Sequence, residues 1–202
     1  MTAASFAKKF HSIGACPEGR DWILAGQHED FRTTWRICPA GEFLCWVATR
    51  LLGLEGTRAA VACAKAAASQ YREPTLPALL ALCEQVVDGK AAAPGAGLDA
   101  SINKLQSLAY DAASAALANR QGSGEVLLAA SYAAYAVAFA AMSIGAKEPE
   151  EKKRLLAKAA QHSSDAGAHA WQAMPGKNAG MVKLVRDSIK EDAIVRAWAV
   201  LP

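Results

Sequence analysis

The chain reads as an all-α protein, and the reading rests on three observations. Proline and glycine cut its 202 residues into helix-sized pieces. No run of alternating β-branched residues suggests a sheet. Small residues recur at steps of three and four, as in Ala129, Ala133, Ala136 and Ala140, the spacing that lets neighbouring helix backbones approach closely. Hydrophobic residues make up 52% and charged residues 20%, too apolar a balance for disorder, and the length suits one body with its own core. The expectation is a single-domain, Ala-rich helical bundle of about eight or nine helices without a sheet. No repeat of fixed period appears that would make it a solenoid. Residues 1–89 form a half rich in Trp and Cys with short helices, 90–97 (KAAAPGAG) a linker loop, and 98–202 a half of long Ala-rich helices.

In the first half, a helix over 5–12 stops at Gly14, and Pro17 suits the first turn of the next, with Glu18 and Asp21 near its start and Trp22, Ile23 and Leu24 as apolar payload. Asp30 caps a short helix whose Phe31, Trp35 and Cys38 share a face until Pro39 and Gly41 interrupt it. Over 42–52, Phe43, Trp46, Val47 and Arg50 form a stripe, and Gly53 supplies the stop. Helices this short persist only by packing on one another. Thr57 is expected to cap a helix reaching Arg72, ahead of Pro74. Another runs from Thr75-Leu76-Pro77 through Leu79, Leu80, Cys83, Val86 and Val87 to Gly89.

In the second half, a helix over 99–119 ends at a 121–124 turn and one over 125–143 ends at Gly145, both presenting alanine on several faces. Pro149 opens a helix to Met174 with Leu156, Ala160, Ser163, Gly167, Trp171 and Met174 along one side, stopped by Pro175-Gly176. A last helix covers 179–198, docked by Leu184, Val185, Ile194, Val195 and Trp198.

The net charge of +3, with 22 Lys and Arg against 19 Asp and Glu, creates no strong field. The densest basic cluster, Lys152-Lys153-Arg154, follows Glu148, Glu150 and Glu151 as at an ordinary solvated helix start, so no nucleic-acid partner is expected. The charge-free segment from Val126 to Ile144 approaches the length of a membrane span, but its alanine, serine and tyrosine content reads as a helix among helices, and no membrane association is expected. Cys16, Cys38, Cys45, Cys63 and Cys83 form no C-x-x-C pair and read as reduced thiols. No apolar segment of signal type follows Lys8 and Lys9, which makes the cytoplasm the expected location.

Three constellations could carry chemistry. His162, Asp165 and His169 lie on one helical face with the donor types a metal takes, yet Lys158 and Gln172 extend that face as an ordinary wet surface, so no metal or other cofactor is expected. Cys16, just ahead of a helix start, could pair with His11 or His28 as a nucleophile, but no orienting residue, phosphate cradle or G-x-S-x-G accompanies it, and the chain is not expected to be an enzyme. Arg20, Arg32, Arg36 and Arg50 interleave with the tryptophans, either as a binding surface or as guanidiniums stacked over core rings; the stacked arrangement is expected.

Gly14-Ala15-Cys16-Pro17-Glu18 with Trp22, then Trp35-Arg36-Ile37-Cys38, then Phe43-Leu44-Cys45-Trp46, resemble the G-A-C-x-x…W…W-x-x-C…W-L-x-W pattern of the Imm5-like immunity protein family. The distinctive match covers the first quarter of the chain, with Phe43 where the family has tryptophan. The resemblance implies an all-α protein of bacteria or their phages that binds a cognate toxin of a polymorphic toxin system and blocks it without chemistry of its own. Gly14, Cys16, Trp22, Trp35, Cys38 and Trp46 then serve structure or partner binding. A net charge of +3 does not suit steering toward a basic toxin. The alternatives are a phage or mobile-element module that binds a host helix in an apolar groove, and a Cys/His enzyme or small-molecule sensor with a deep pocket among Trp22, Trp35 and Trp46.

Overall fold

The computed structural model describes residues 2–71, 75–90, 98–118, 123–174, 176 and 178–201. Among these, eleven α-helices and one 3₁₀ turn account for the regular structure, and there is no strand. The helices are α1 (Ala3–Ser12), α2 (Pro17–Ala25), α3 (Phe31–Ile37), α4 (Gly41–Leu52), α5 (Arg58–Ala68), α6 (Leu76–Val87), α7 (Leu98–Ala118), α8 (Ser123–Gly145), α9 (Pro149–Ala173), α10 (Asn178–Ser188) and α11 (Glu191–Ala199). The linker expected at 90–97 lies outside the described residues save for Lys90, as do residues 121 and 122 of the turn before α8.

The count exceeds the expected eight or nine: the segments taken in order already make ten helices, and the last of them is two. Lys190 takes an extended conformation (φ −66°, ψ 113°) and α11 restarts after it with Glu191 and Asp192 in its first turn. The Ser188 hydroxyl bonds back to the Leu184 carbonyl, competing with the helix ladder just before the break. Glu191 is held by Arg32 and Arg36 of α3 at 2.6 and 2.7 Å, which ties the restarted helix to the N-terminal half. Thr57 does not cap α5: it ends the 3₁₀ turn Glu55–Thr57 in helical conformation, and its hydroxyl donates to the Leu54 carbonyl. That turn must pass close under α4, since a Cβ on Gly56 would sit 2.1 Å from the Ala48 carbonyl oxygen. The helix itself ends at Ala68, short of Arg72.

The core is centred on α8, a helix apolar all round and therefore stable only when enclosed. Gly124–Gly145 is long and apolar enough to cross a membrane, but α9, α7, α5 and α6 pack about it and two thirds of its most apolar stretch is buried. Ala129, Ala133, Ala136 and Ala140 are wholly buried, so the α8–α9 and α7–α8 contacts are close backbone approaches. On α9 the buried stripe is Leu155, Ala159, Ser163, Ala166 and Ala170, flanked by Ala160 and Gly167. Of the expected stripe, Ala160, Ser163, Gly167 and Met174 are buried, whereas Leu156 is half-buried and Trp171 exposed.

The same core continues into an aromatic cluster that fastens α1 and α3 to α11. Phe10 lies 4.5 Å and Phe31 4.7 Å from Trp198 of α11, with Phe6 and Trp35 completing the cluster. The arginines do not stack on these rings. Arg32 and Arg36 bond to α11 carboxylates, Arg20 meets His11, and Arg50 donates to the Ile13 carbonyl at 2.8 Å. Among the described residues the cations over rings are Lys9 on Trp198 and Lys158 on Phe139.

Candidate functional site: a cavity lined by the sequence motif

Gly14 adopts φ +91°, a backbone conformation that favours glycine, and turns the chain out of α1 into the start of α2. Cys16 follows in extended conformation and caps α2, its Sγ accepting the Gly19 N–H at 3.4 Å, while Pro17 occupies the first helical position where no N–H is needed. Gly19 is then pressed against an aromatic ring: a Cβ there would lie 2.8 Å from Phe43 Cε2. The spacing G-A-C-P-E-G is thus a turn, a cap and a contact with α4.

Phe43 and Trp46 stand on α4 with parallel rings 5.9 Å apart. Both rings are half-buried at the edge of the core, Phe43 6.0 Å from Phe10, while α4 enters the core itself through Leu44, Cys45, Val47, Ala48 and Thr49. α4 is set against α9 by a buried hydrogen bond between the Thr49 and Ser163 hydroxyls at 2.7 Å, and by Gly167, whose added Cβ would come within 3.0 Å of Glu42 Cα.

The result is a cavity of about 450 Å³ bordered by Gly14, Cys16, Glu18, Gly19 and Trp22, by Cys38, Pro39 and Ala40, by Glu42, Phe43 and Trp46, and by Gln161 and Ser164 of α9. Five of the six motif residues singled out in the sequence meet there. Trp35 does not: it is 3% exposed within the aromatic core. Gly19, Glu42 and the α9 pair had no signal of their own in the sequence; Glu18 was visible as a helix-start acid and Phe43 as a motif position.

Two thiols border the cavity in different states. Cys38 is buried, its Sγ 3.8 Å from the Ala40 carbonyl, and burial pushes it up to about 11. Cys16 is exposed. The Glu18 carboxyl is held below its ordinary range by its own backbone N–H and then by the Cys16 thiol. Neither histidine considered as a base is bonded to Cys16 among the described contacts: His11 meets Arg20, and His28 packs on Trp22 at 4.4 Å.

The His162, Asp165 and His169 face is built into the α8–α9 contact. His169 bonds Glu125 at 2.6 Å and lies parallel to Tyr132, while His162 lies among Tyr132, Tyr135 and Phe139. Burial works to raise the Asp165 carboxyl, but His162 and Gln161 outweigh it and hold it low. Among the described residues no three such groups gather as a metal would require. A second, open groove of about 500 Å³ lies where α5, α6 and α10 meet, lined by Val61, Ala66, Val87 and Leu184 and bordered by the Lys65–Glu84 ion pair.

Comparison with known proteins gives no further guide: no family model, no curated protein and no solved structure matches this chain.

Proposed function

We propose that this chain is an immunity protein, a binding protein without chemistry of its own that neutralises a cognate toxin by covering the toxin's working surface. One observation supports the reading above others. Gly14, Cys16, Trp22, Cys38 and Trp46, five of the six residues that carry the resemblance to the Imm5-like family, come from separate segments of the chain and yet border a single open cavity together with Phe43, while Trp35 lies in the core. Half-buried aromatic residues around a concave patch are the usual anchors of a protein interface. The partner is a protein, the site needs no cofactor, and the working compartment is the bacterial cytoplasm.

The test is co-expression of this chain with the toxin encoded beside it. Growth should be restored by the wild-type chain and lost again with Trp22→Ala or Trp46→Ala, once circular dichroism shows both variants folded. Failure of the wild-type chain to protect or bind would remove the reading. A second reading, a small-molecule sensor, is favoured by the cavity volume, which falls within the range of ligand pockets. It predicts that a metabolite co-purifies with the chain and is lost in the same tryptophan variants.

A further inference from the structure

We propose that the motif cavity is the seat of an arginine side chain presented by the protein partner, an inference that rests on the chain being a partner-binding protein. Its walls include the parallel rings of Phe43 and Trp46 and the indole of Trp22. Aromatic faces carry negative partial charge and attract a cation laid over them, and a planar guanidinium stacks there better than an ammonium does.

The charged residues at the cavity point the same way. Glu18 and Glu42 border it, and no lysine, arginine or histidine does. Among the described ion pairs neither carboxylate is matched with a cation, although Arg20 adds a weak attraction to Glu18. Two helix starts, those of α2 and α4, also open here and oppose a cation. Each contributes roughly half a positive charge, so two carboxylates outweigh two helix starts by roughly one negative charge. An anion is excluded by the same sum, and a neutral apolar side chain would leave both carboxylates unused. Because the whole chain carries +3, the attraction is local, acting on contact and not steering from a distance.

The full chain is titrated with N-acetyl-arginine amide and with N-acetyl-citrulline amide, which has nearly the same shape without the charge, and binding is read from tryptophan fluorescence. The arginine probe should bind about ten-fold more tightly, and Glu18→Gln with Glu42→Gln should abolish most of that preference while the chain stays folded with a melting temperature lowered by only a few degrees, since both acids also stand in first helical turns. Equal binding of the two probes, or a preference that survives the double substitution, overturns the proposal. Cell protection separates it from the immunity reading. If the Glu18→Gln, Glu42→Gln chain still protects against the toxin as wild type does, the arginine seat is wrong and immunity stands. If wild type fails to protect but keeps the probe preference and its loss in the double variant, the seat stands and immunity falls.

Discussion

Gly167→Ala tests how closely α4 and α9 approach, and with it what fixes one wall of the cavity. The substitution carries two opposed effects. Alanine in a helix interior is favoured over glycine by about 1 kcal/mol. Against this, the new Cβ would lie 3.0 Å from Glu42 Cα and 3.4 Å from Cys45 Sγ, whereas carbon atoms in contact prefer about 3.5–4.0 Å. The crowded atom is backbone, so relief requires α4 to move away from α9 by about half an ångström, against the buried Thr49–Ser163 hydrogen bond. Overpacking of this kind costs about 1–3 kcal/mol, and subtracting the propensity gain leaves a net loss near 1 kcal/mol. Gly180→Ala is the control, for that exposed glycine lies in α10 with nothing within 4 Å of an added Cβ and should gain about 0.5–1 kcal/mol. The two variants should then differ by roughly 2 kcal/mol, or about 4–8 °C in melting temperature for a chain of this size. Thermal melts followed by circular dichroism measure the gap directly. A Gly167→Ala chain as stable as Gly180→Ala would refute the close approach.

Other outcomes follow from the same geometry. Ala133→Leu or Ala136→Leu puts a large side chain into wholly buried positions on α8 and should cost about 1–3 kcal/mol in urea unfolding; an unchanged midpoint would contradict their burial. Asp30→Ala removes the cap on Thr33 N–H at 2.7 Å and should cost about 1 kcal/mol near neutral pH. The Thr33 hydroxyl and N–H hold the Asp30 carboxyl below its ordinary range, so its contribution is complete above the unfolded value near pH 4 and is lost as pH falls through the lower folded value. Stability curves of wild type and variant should therefore converge in acid; a gap that is constant down to pH 2 would exclude the cap. Alkylation of the native chain near neutral pH should modify Cys16 and spare Cys38, pushed up to about 11, and Cys83, pushed up to about 12, both by burial. Mass spectrometry of the labelled protein reads this, and early labelling of Cys38 or Cys83 would contradict the packing.

Much of the fold was legible because it is written in local chemistry. Gly14, Pro17, Asp30, Gly53 and Gly89 act within their own turns, and each stands at the helix boundary that its residue type implies. The division at Lys190 was not legible, since no proline or glycine marks it; Ser188 and the acid pair Glu191-Asp192 were weak hints, and the ties from Arg32 and Arg36 come from far along the chain. The motif was visible as a pattern, but spacing alone could not tell that Trp46 lines a cavity while Trp35 enters a core. That difference depends on which neighbours each helix face meets. Helical spacing put Phe43, Trp46, Val47 and Arg50 on one stripe, which the structure divides: Phe43 and Trp46 border the cavity at the edge of the core, Val47 is buried in the core, and Arg50 bonds to the Ile13 carbonyl.

The aromatic cluster that joins α1, α3 and α11 sets a condition on biosynthesis. Phe6, Phe10 and Phe31 leave the ribosome long before Trp198, whose ring packs on all three. Until Trp198 has been made, the nascent chain lacks the ring that packs on all three phenylalanines, and chaperones and proteases can recognise that gap. A product clipped before Trp198 keeps that gap permanently, so cellular quality control can distinguish it from copies that carry the ring.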